Sequence, residues 1–292
     1  MKINSKFLLG CLVAGIVLTA CAGKATKNAE ERIITVTIEP LRYFAEAIAG
    51  DKFTVQSMVP KGMSPETYDP TPRQLVALSE SEAYLRIGYI GFELSWMDRI
   101  LQNNKHLKVF DTSKGVDLIR AKGHYHGDHY HAGGVEPHIW NSAANARIIA
   151  ANILKALCEL NKENESYFHQ QYEELIRKID ETDRTIQNLL SEKADHAFMI
   201  YHPALSYFAR DYNLHQISIE EEGKEPSAAH IKSLVEVSRF EEIRVIFIQP
   251  EFDKRNAEII AKETETEIVS INPLAYDWPA EMIHTAKSLK HE

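Results

Sequence analysis

Short apolar runs rich in β-branched residues alternate along the chain with segments in which apolar residues recur at helical spacing. Strands are predicted at 33–38, 55–59, 84–87 and 108–110, and again at 197–201, 216–219, 245–248 and 267–271. Helices are predicted at 41–49, 74–81, 92–101 and 143–160, and at 204–212, 228–240 and 254–263. Since alternating strands and helices favour parallel sheets, we predict an α/β fold of two similar domains. Each would hold a mostly parallel four-stranded sheet flanked by helices.

A long amphipathic segment separates the two halves of this pattern. Residues 163–190 contain no Gly or Pro, and their apolar side chains fall close to helical spacing. At roughly 1.5 Å per residue, one helix over this range would span about 42 Å. We therefore predict a rigid connecting helix at 163–190, between an N-terminal lobe at 32–162 and a C-terminal lobe at 191–292.

The N-terminus has the features of an export signal. Two lysines precede an apolar run at 7–18, which ends in the sequence L-T-A-C. This ending resembles the bacterial lipobox, in which the cysteine carries the lipid. We therefore predict a lipoprotein signal peptide at 1–20, lipidation at Cys21 and a polar tether at 21–31. The mature protein would be anchored to a bacterial membrane, on the periplasmic side or the cell surface.

Composition narrows the range of functions. The 292 residues carry 33 Lys and Arg against 42 Asp and Glu, a formal charge of −9, which argues against nucleic-acid binding. Of the three cysteines, Cys11 would leave with the signal and Cys21 would be lipidated, so Cys158 remains alone in a helical pattern. Any metal site must therefore use histidine and carboxylate ligands, and the 13 histidines make one plausible.

Candidate ligands occur where predicted strands end. Glu66 and His202 each follow a strand, Asn272 follows the last strand, and His138 precedes the helix at 143–160. Ligands of open α/β sheets bind outside the carboxyl ends of the strands. A proline beside each residue limits backbone freedom. Each residue alone has an ordinary structural explanation, and the joint placement favours a site.

Five segments, in order along the chain, resemble the ZnuA-like, or cluster A-I, zinc and manganese substrate-binding lipoproteins of ABC importers. Residues 62–72 (G-M-S-P-E-T-Y-D-P-T-P) resemble the family's G-x-x-P-H-x-Y-x-P-x-P loop. The other four are 136–141 (E-P-H-I-W-N), 201–204 (Y-H-P-A), 221–227 (E-E-G-K-E-P-S) and 271–274 (I-N-P-L). The long helix and a His-rich loop also occur where the family has them.

The resemblance implies a metal receptor and no enzymatic activity. Metal would be held between the lobes by Glu66, His138 and His202, with Asn272 or water as the fourth ligand. The family usually has His in place of Glu66, and often Asp in place of Asn272. Zn²⁺ is the implied cargo, and these departures leave Mn²⁺ as the alternative. The implied partners are an ABC permease and its ATPase, and the protein would act as a monomer.

The His-rich segment at 123–134 allows other interpretations. Its glycines and lack of apolar periodicity predict a mobile loop, in which His124, His126, His129 and His131 would capture metal weakly. The same segment matches the H-x-H-x-D-H pattern of metallo-β-lactamase-type zinc hydrolases. That pattern should follow a buried apolar strand, whereas residues 117–123 carry several charges. A surface adhesin with incidental metal binding is a third possibility.

Overall fold

The computed structural model describes residues 31–120, 124–126, 129–131, 134–191, 196–221 and 223–290, the second and third of these ranges by backbone alone. The predicted signal peptide, the lipidation site at Cys21 and most of the tether lie outside these residues. The described residues from Arg32 onward form one compact unit, within which two lobes are each built on their own sheet.

The N-terminal lobe contains a four-stranded parallel sheet of order β2-β1-β3-β4. Its strands are β1 (Ile33–Val36), β2 (Thr54–Ser57), β3 (Ala83–Arg86) and β4 (Lys108–Asp111). Its helices are α1 (Glu39–Ala49), α2 (Pro72–Ser79), α3 (Gly91–Asn103) and α4 (Ala143–Leu160).

The C-terminal lobe repeats this plan with strand order β10-β9-β7-β8, again parallel. Its strands are β7 (Ala197–Ile200), β8 (His215–Ser218), β9 (Val245–Ile248) and β10 (Glu267–Ser270). Its helices are α6 (Ser206–Asp211), α7 (Ala228–Phe240), α8 (Arg255–Thr264) and α9 (Trp278–Ser288). The predicted fold class of two similar α/β halves is therefore confirmed.

Helix α5 (Glu165–Leu190) joins the two halves and follows a short 3-10 turn at Lys162–Asn164. It packs against α1 and α4 of the first lobe and against α9. Arg147 of α4 donates to Asp180 and Asp183 of α5, each at 2.8 Å. The predicted long helix is thus present, anchored along its length by other helices.

Side chains cap several helices as the sequence suggests. Thr71 accepts from the N–H of Gln74 at the start of α2, and Gln74 completes a capping box. Ser142 accepts from the N–H of Asn145 at the start of α4, and Ser227 caps α7 in the same way. The Ser142 cap fixes the start of α4, the helix that directly follows the loop of His138.

The sequence analysis did not predict α9, although its start carries ordinary signals. Asp277 accepts from the N–H of Ala280, and a proline occupies the first turn. The helix packs back against the first lobe, where the rings of Trp278 and Phe44 lie 5.3 Å apart. Trp278 also donates to the carbonyl of Trp140 at 2.7 Å. A continuous apolar core consequently crosses from one lobe to the other.

The His-rich segment, predicted as a mobile loop, contains a pair of strands that the sequence pattern had not been taken to indicate. Strands β5 (His124–His126) and β6 (His129–His131) form an antiparallel pair, with His124 opposite His131. The sequence H-Y-H-G-D-H-Y-H explains this, because two alternating runs separated by Gly-Asp are typical of a hairpin.

Within the described parts of the chain, no helix combines the length and the apolar character needed to cross a membrane.

Candidate metal centre

A small cavity lies where the two lobes meet, with a volume of about 30 Å³. That volume holds an ion or one water molecule, whereas pockets for organic ligands are typically about ten times larger. The lining comes from five loops of the two lobes: Ser64, Pro65, Glu66, His138, Trp140, His202, Ala204, Gln249, Glu251, Phe252, Pro273 and Leu274.

Two imidazoles face each other in this cavity. The Nε2 atoms of His138 and His202 lie 3.2 Å apart, although the residues come from different lobes. His138 is buried, with 5% of its surface exposed. His202 stacks on Phe252 at 5.2 Å with an interplanar angle of 16°. Both rings are therefore held in place by packing within the protein.

Carboxylates fix the tautomer of both rings. The Nδ1 of His138 contacts Glu136, and the Nδ1 of His202 lies 2.9 Å from Oε1 of Glu220. An ionised carboxylate can only accept, so each Nδ1 carries the proton and each Nε2 presents a lone pair. Two facing lone pairs 3.2 Å apart repel unless a cation or a proton lies between them.

Electrostatics around Glu136 agree with this arrangement. Burial alone would raise the pKa of Glu136, but the hydrogen bond and charge of His138 outweigh it, together with bonds from a backbone N–H and Ser206. The pKa of Glu136 consequently lies below its ordinary value. This carboxylate therefore stays ionised and keeps orienting its histidine.

Glu66 reaches the cavity from the loop after β2. Its Oε2 accepts from the N–H of Gly91 at 3.1 Å, and its Oε1 is buried without a hydrogen-bond partner. A side chain at position 91 would come within 2.3 Å of the carbonyl oxygen of Glu66, so only glycine fits there. The backbone approach of α3 thus positions one free carboxylate oxygen.

Asn272, the predicted fourth ligand, does not line the cavity. Its side-chain oxygen accepts from the backbone N–H of Leu274 at 3.1 Å. The backbone N–H of Asn272 donates to the carboxylate of Glu281 at 2.7 Å. The amide oxygen is thus used within its own turn, as is common for asparagine. The structure brings Glu66, His138 and His202 to one cavity and leaves Asn272 outside it.

Glu251 was not among the predicted site residues, yet it lines the cavity after β9. Its Oε1 is buried and has no hydrogen-bond partner. Burial raises the pKa of this carboxyl, against a backbone hydrogen bond and the charge of His202. The rule that ligands bind at the carboxyl ends of strands would have found it, since Gln249-Pro250-Glu251 directly follows a buried strand.

Another group of potential ligands lies on the helices. In the described residues, Cys158, Glu165 and His169 have ligand atoms that all lie within 4.8 Å of one another. Glu165 and His169 are exposed, and burial raises the pKa of Cys158, which disfavours the thiolate that a metal needs. Nothing fixes the tautomer of His169 other than a long contact of 3.9 Å to Glu165. This group is a weaker candidate than the cavity.

The side chains of the His-rich hairpin lie outside the described residues, so accessory capture by His124, His126, His129 and His131 stays a prediction. The backbone bears on the hydrolase alternative. The strands β5 and β6 form a separate ribbon outside both four-stranded sheets. The H-x-H-x-D-H pattern therefore does not follow a core strand, as that alternative requires.

Comparison with known proteins agrees with the motifs. The family model for the zinc-uptake complex component A, ZnuA, a periplasmic protein, matches residues 34–291. This chain belongs to the ZnuA family. A crystal structure of a ZnuA superposes with a TM-score of 0.82 at 33% identity, covering 89% of this chain and 98% of the other. The family resemblance drawn from the sequence is thereby confirmed.

Two curated relatives illustrate the range of the family. The manganese ABC transporter substrate-binding lipoprotein PsaA of Streptococcus mitis is 28% identical, over 91% of this chain and 88% of its own length. The zinc-binding lipoprotein AdcA of Streptococcus pneumoniae is 24% identical over 91% of this chain. This chain spans only 54% of AdcA.

Proposed function

We propose that this protein is the extracytoplasmic receptor of an ABC importer for a transition-metal ion, Zn²⁺ or Mn²⁺. The ion is its cargo, bound between the two lobes by Glu66, His138 and His202. Delivery would be to a permease driven by its ATPase, and the protein itself would catalyse no reaction. Membership of the ZnuA family and the names of the curated relatives support this proposal.

The observation that carries the proposal is the imidazole pair. Tetrahedral zinc with Zn–N bonds of about 2.0–2.1 Å needs its two nitrogens to be about 3.3 Å apart. The separation of 3.2 Å between His138 and His202 is close to this value. Each ring also has the carboxylate partner that metal-bound histidines commonly have.

The rest of the proposed site would close on the ion. Glu66 has a buried oxygen without a partner, and a bound cation would neutralise that carboxylate. Helix α5 and the core shared by the lobes oppose a large hinge motion. We therefore expect closure by small shifts of the loops.

The membrane location follows from the N-terminal residues. We propose lipidation at Cys21 after removal of residues 1–20, with 21–31 as a tether to lobes at 32–162 and 191–292. The two curated relatives are both named lipoproteins, which supports this arrangement. A monomer would suffice, because both halves of the proposed site come from one chain.

Competitive metal titration of the purified mature protein tests the function. The expected result is one tight site for Zn²⁺ or Mn²⁺ per chain. The matched comparison is a His138→Ala/His202→Ala double variant, which should lose that site and keep the fold by circular dichroism. Equal tight binding by both proteins would overturn the proposed site, and absence of tight binding in the wild type would overturn the function.

A further inference from the structure

We propose that Glu251 is a direct ligand of the transported ion and supplies the carboxylate that Asn272 cannot. The ion would then be bound by one imidazole and one carboxylate from each lobe: Glu66 and His138 from the first, His202 and Glu251 from the second. This inference rests on the proposed function and adds a residue to its site.

The position of Glu251 gives the first argument. It follows β9, which pairs with β7 in the second sheet, and His202 follows β7. Adjacent parallel strands bring their carboxyl ends to the same edge, so the two side chains project into one space. Both line the same cavity, together with Glu66 and His138.

The unsatisfied oxygens give the second argument. In the described part of the chain, few buried side-chain atoms lack a hydrogen-bond partner. Two of them are Oε1 of Glu66 and Oε1 of Glu251, and both belong to this cavity. A buried carboxylate oxygen without a partner is costly unless a cation compensates it. Glu66 and Glu251 line the same cavity as the two imidazoles, but no three ligand atoms of these four described residues lie within 4.8 Å of one another. The four-donor site would therefore form when the loops close on the ion.

The neighbours of Glu251 leave it free to coordinate. Gln249 is used structurally: its amide donates to the carbonyl of His202 at 2.6 Å, and its oxygen accepts from the N–H of His202 at 3.3 Å. Asp253 is occupied by Arg255, with contacts of 2.9 Å to its backbone and guanidinium N–H groups. Of these three described residues, Glu251 alone lines the cavity and also has a buried side-chain oxygen without a hydrogen-bond partner.

Two nitrogens and two carboxylates make a harder donor set than one dominated by imidazole. Carboxylate oxygens suit Mn²⁺, whereas zinc accepts either donor type. Removing the carboxylate of Glu251 should therefore weaken Mn²⁺ binding more than Zn²⁺ binding. The residue would set the metal range of the receptor as well as its affinity.

Competitive titration of Glu251→Gln with Zn²⁺ and with Mn²⁺ tests the inference. Glutamine keeps the shape and removes the charge. We expect zinc affinity to fall at least tenfold, manganese affinity to fall further, and the metal-free protein to unfold at the same or a higher temperature. A merely structural role would instead lower that unfolding temperature and leave the ratio of the two affinities unchanged.

Asp253→Asn is the matched control, since it removes the same charge two residues away on the same loop. It should stay within about twofold of the wild type for both metals. If the wild type binds tightly and Glu251→Gln matches it within twofold, the ligand role is wrong and the receptor function stands. If Asp253→Asn loses as much metal affinity as Glu251→Gln, the loss comes from reduced negative charge near the cavity, and the ligand role of Glu251 is also wrong. A wild type without tight binding overturns both proposals.

Discussion

The two lobes build their halves of the cavity in different ways. In the first lobe, His138 and its carboxylate partner Glu136 lie two residues apart in one loop, and a backbone N–H of that loop also bonds Glu136. In the second lobe, His202 follows β7, whereas its partner Glu220 lies 18 residues away, after β8. The histidine–carboxylate pair of the first lobe is local in sequence, and that of the second lobe is assembled by strand pairing.

This difference has a physical consequence. The position of His138 in the first half depends on one short loop held by the capped start of α4. The geometry of the second half depends on the register of β7 against β8 and β9. The side chain of His202 is also the more exposed, at 19% against 7% for that of His138. We therefore expect the first half to be the more rigid, with adjustment on metal binding falling mainly on the second.

The largest expected effect comes from removing either imidazole. The free energy of binding structural zinc, about 10–16 kcal/mol, is shared among about four ligands, so each loss should cost about 10²- to 10³-fold in affinity. His138→Ala and His202→Ala should therefore weaken zinc binding by similar factors in a competitive titration. His169→Ala, on the exposed face of α5, is the control and should change nothing. If only one of these two variants lost zinc affinity, the expectation that each lobe contributes one imidazole to the ion would be wrong.

The next effect concerns Glu93, a buried carboxyl in the first turn of α3. Burial raises its pKa to about 7, against hydrogen bonds from Thr37 and the N–H groups of Ile87 and Gly88. Because the pKa of Glu93 is higher in the folded than in the unfolded protein, its contribution to stability is fully present at a pH below the unfolded-state pKa. That contribution is lost as the pH rises through the folded-state pKa. Between pH 5 and pH 8 this loss should be about 2.5 kcal/mol.

Urea unfolding of the metal-free protein at pH 5 and at pH 8 measures this loss of stability. Glu93→Gln cannot titrate, so its free energy of unfolding should fall by about 2.5 kcal/mol less than that of the wild type over this range. Identical pH dependence in the two proteins would show that Glu93 does not titrate between pH 5 and pH 8.

A smaller effect is expected from the carboxylates behind the rings. Loss of such a partner typically costs about 10- to 100-fold in metal affinity. Glu136→Gln and Glu220→Gln should both fall in this range by zinc titration, with Glu220→Gln the more affected because Glu136 lies in the preformed loop. Glu174→Gln, an exposed carboxylate of α5 paired with Arg177, is the control. A larger loss for Glu136→Gln would contradict the proposed difference in rigidity.

The smallest effect is expected from the His-rich hairpin. Deletion of residues 123–134 should leave the tight zinc affinity within about twofold, because Glu66, His138 and His202 reach the cavity from other loops. The number of weakly bound zinc ions per chain should fall. Loss of the tight site would make the hairpin, and not the paired imidazoles, the primary site.

Much of the fold could be predicted, because apolar runs and helical periods are local signals. Helix α4 and strand β9 begin and end where the sequence pattern places them. The hairpin was not predicted because its glycines were taken to indicate a loop. The alternation of His and Tyr on either side of Gly-Asp is the signal that favours a hairpin. Helix α9 was missed despite its capping signals, so its packing against the first lobe could not be foreseen.

The cavity was only partly predictable, for reasons that differ between residues. His138 and His202 adjoin a helix or strand boundary and lie in family motifs, so two independent signals mark them. Glu251 lies in none of the recognised motifs, and its placement depends on the pairing of β7 with β9. Asn272 has the motif position, but its oxygen is consumed by its own turn, a contact that only the structure shows.

The central claim is that one imidazole from each lobe holds the transported ion. X-ray absorption spectroscopy at the zinc edge tests it most directly, on the mature protein loaded with one equivalent of zinc. In the wild type we expect two imidazoles per zinc, with oxygen donors completing the coordination shell. In His202→Ala, loaded with protein in excess over zinc, we expect one imidazole per zinc. Three or more imidazoles per zinc in the wild type, or a spectrum unchanged in His202→Ala, would contradict it.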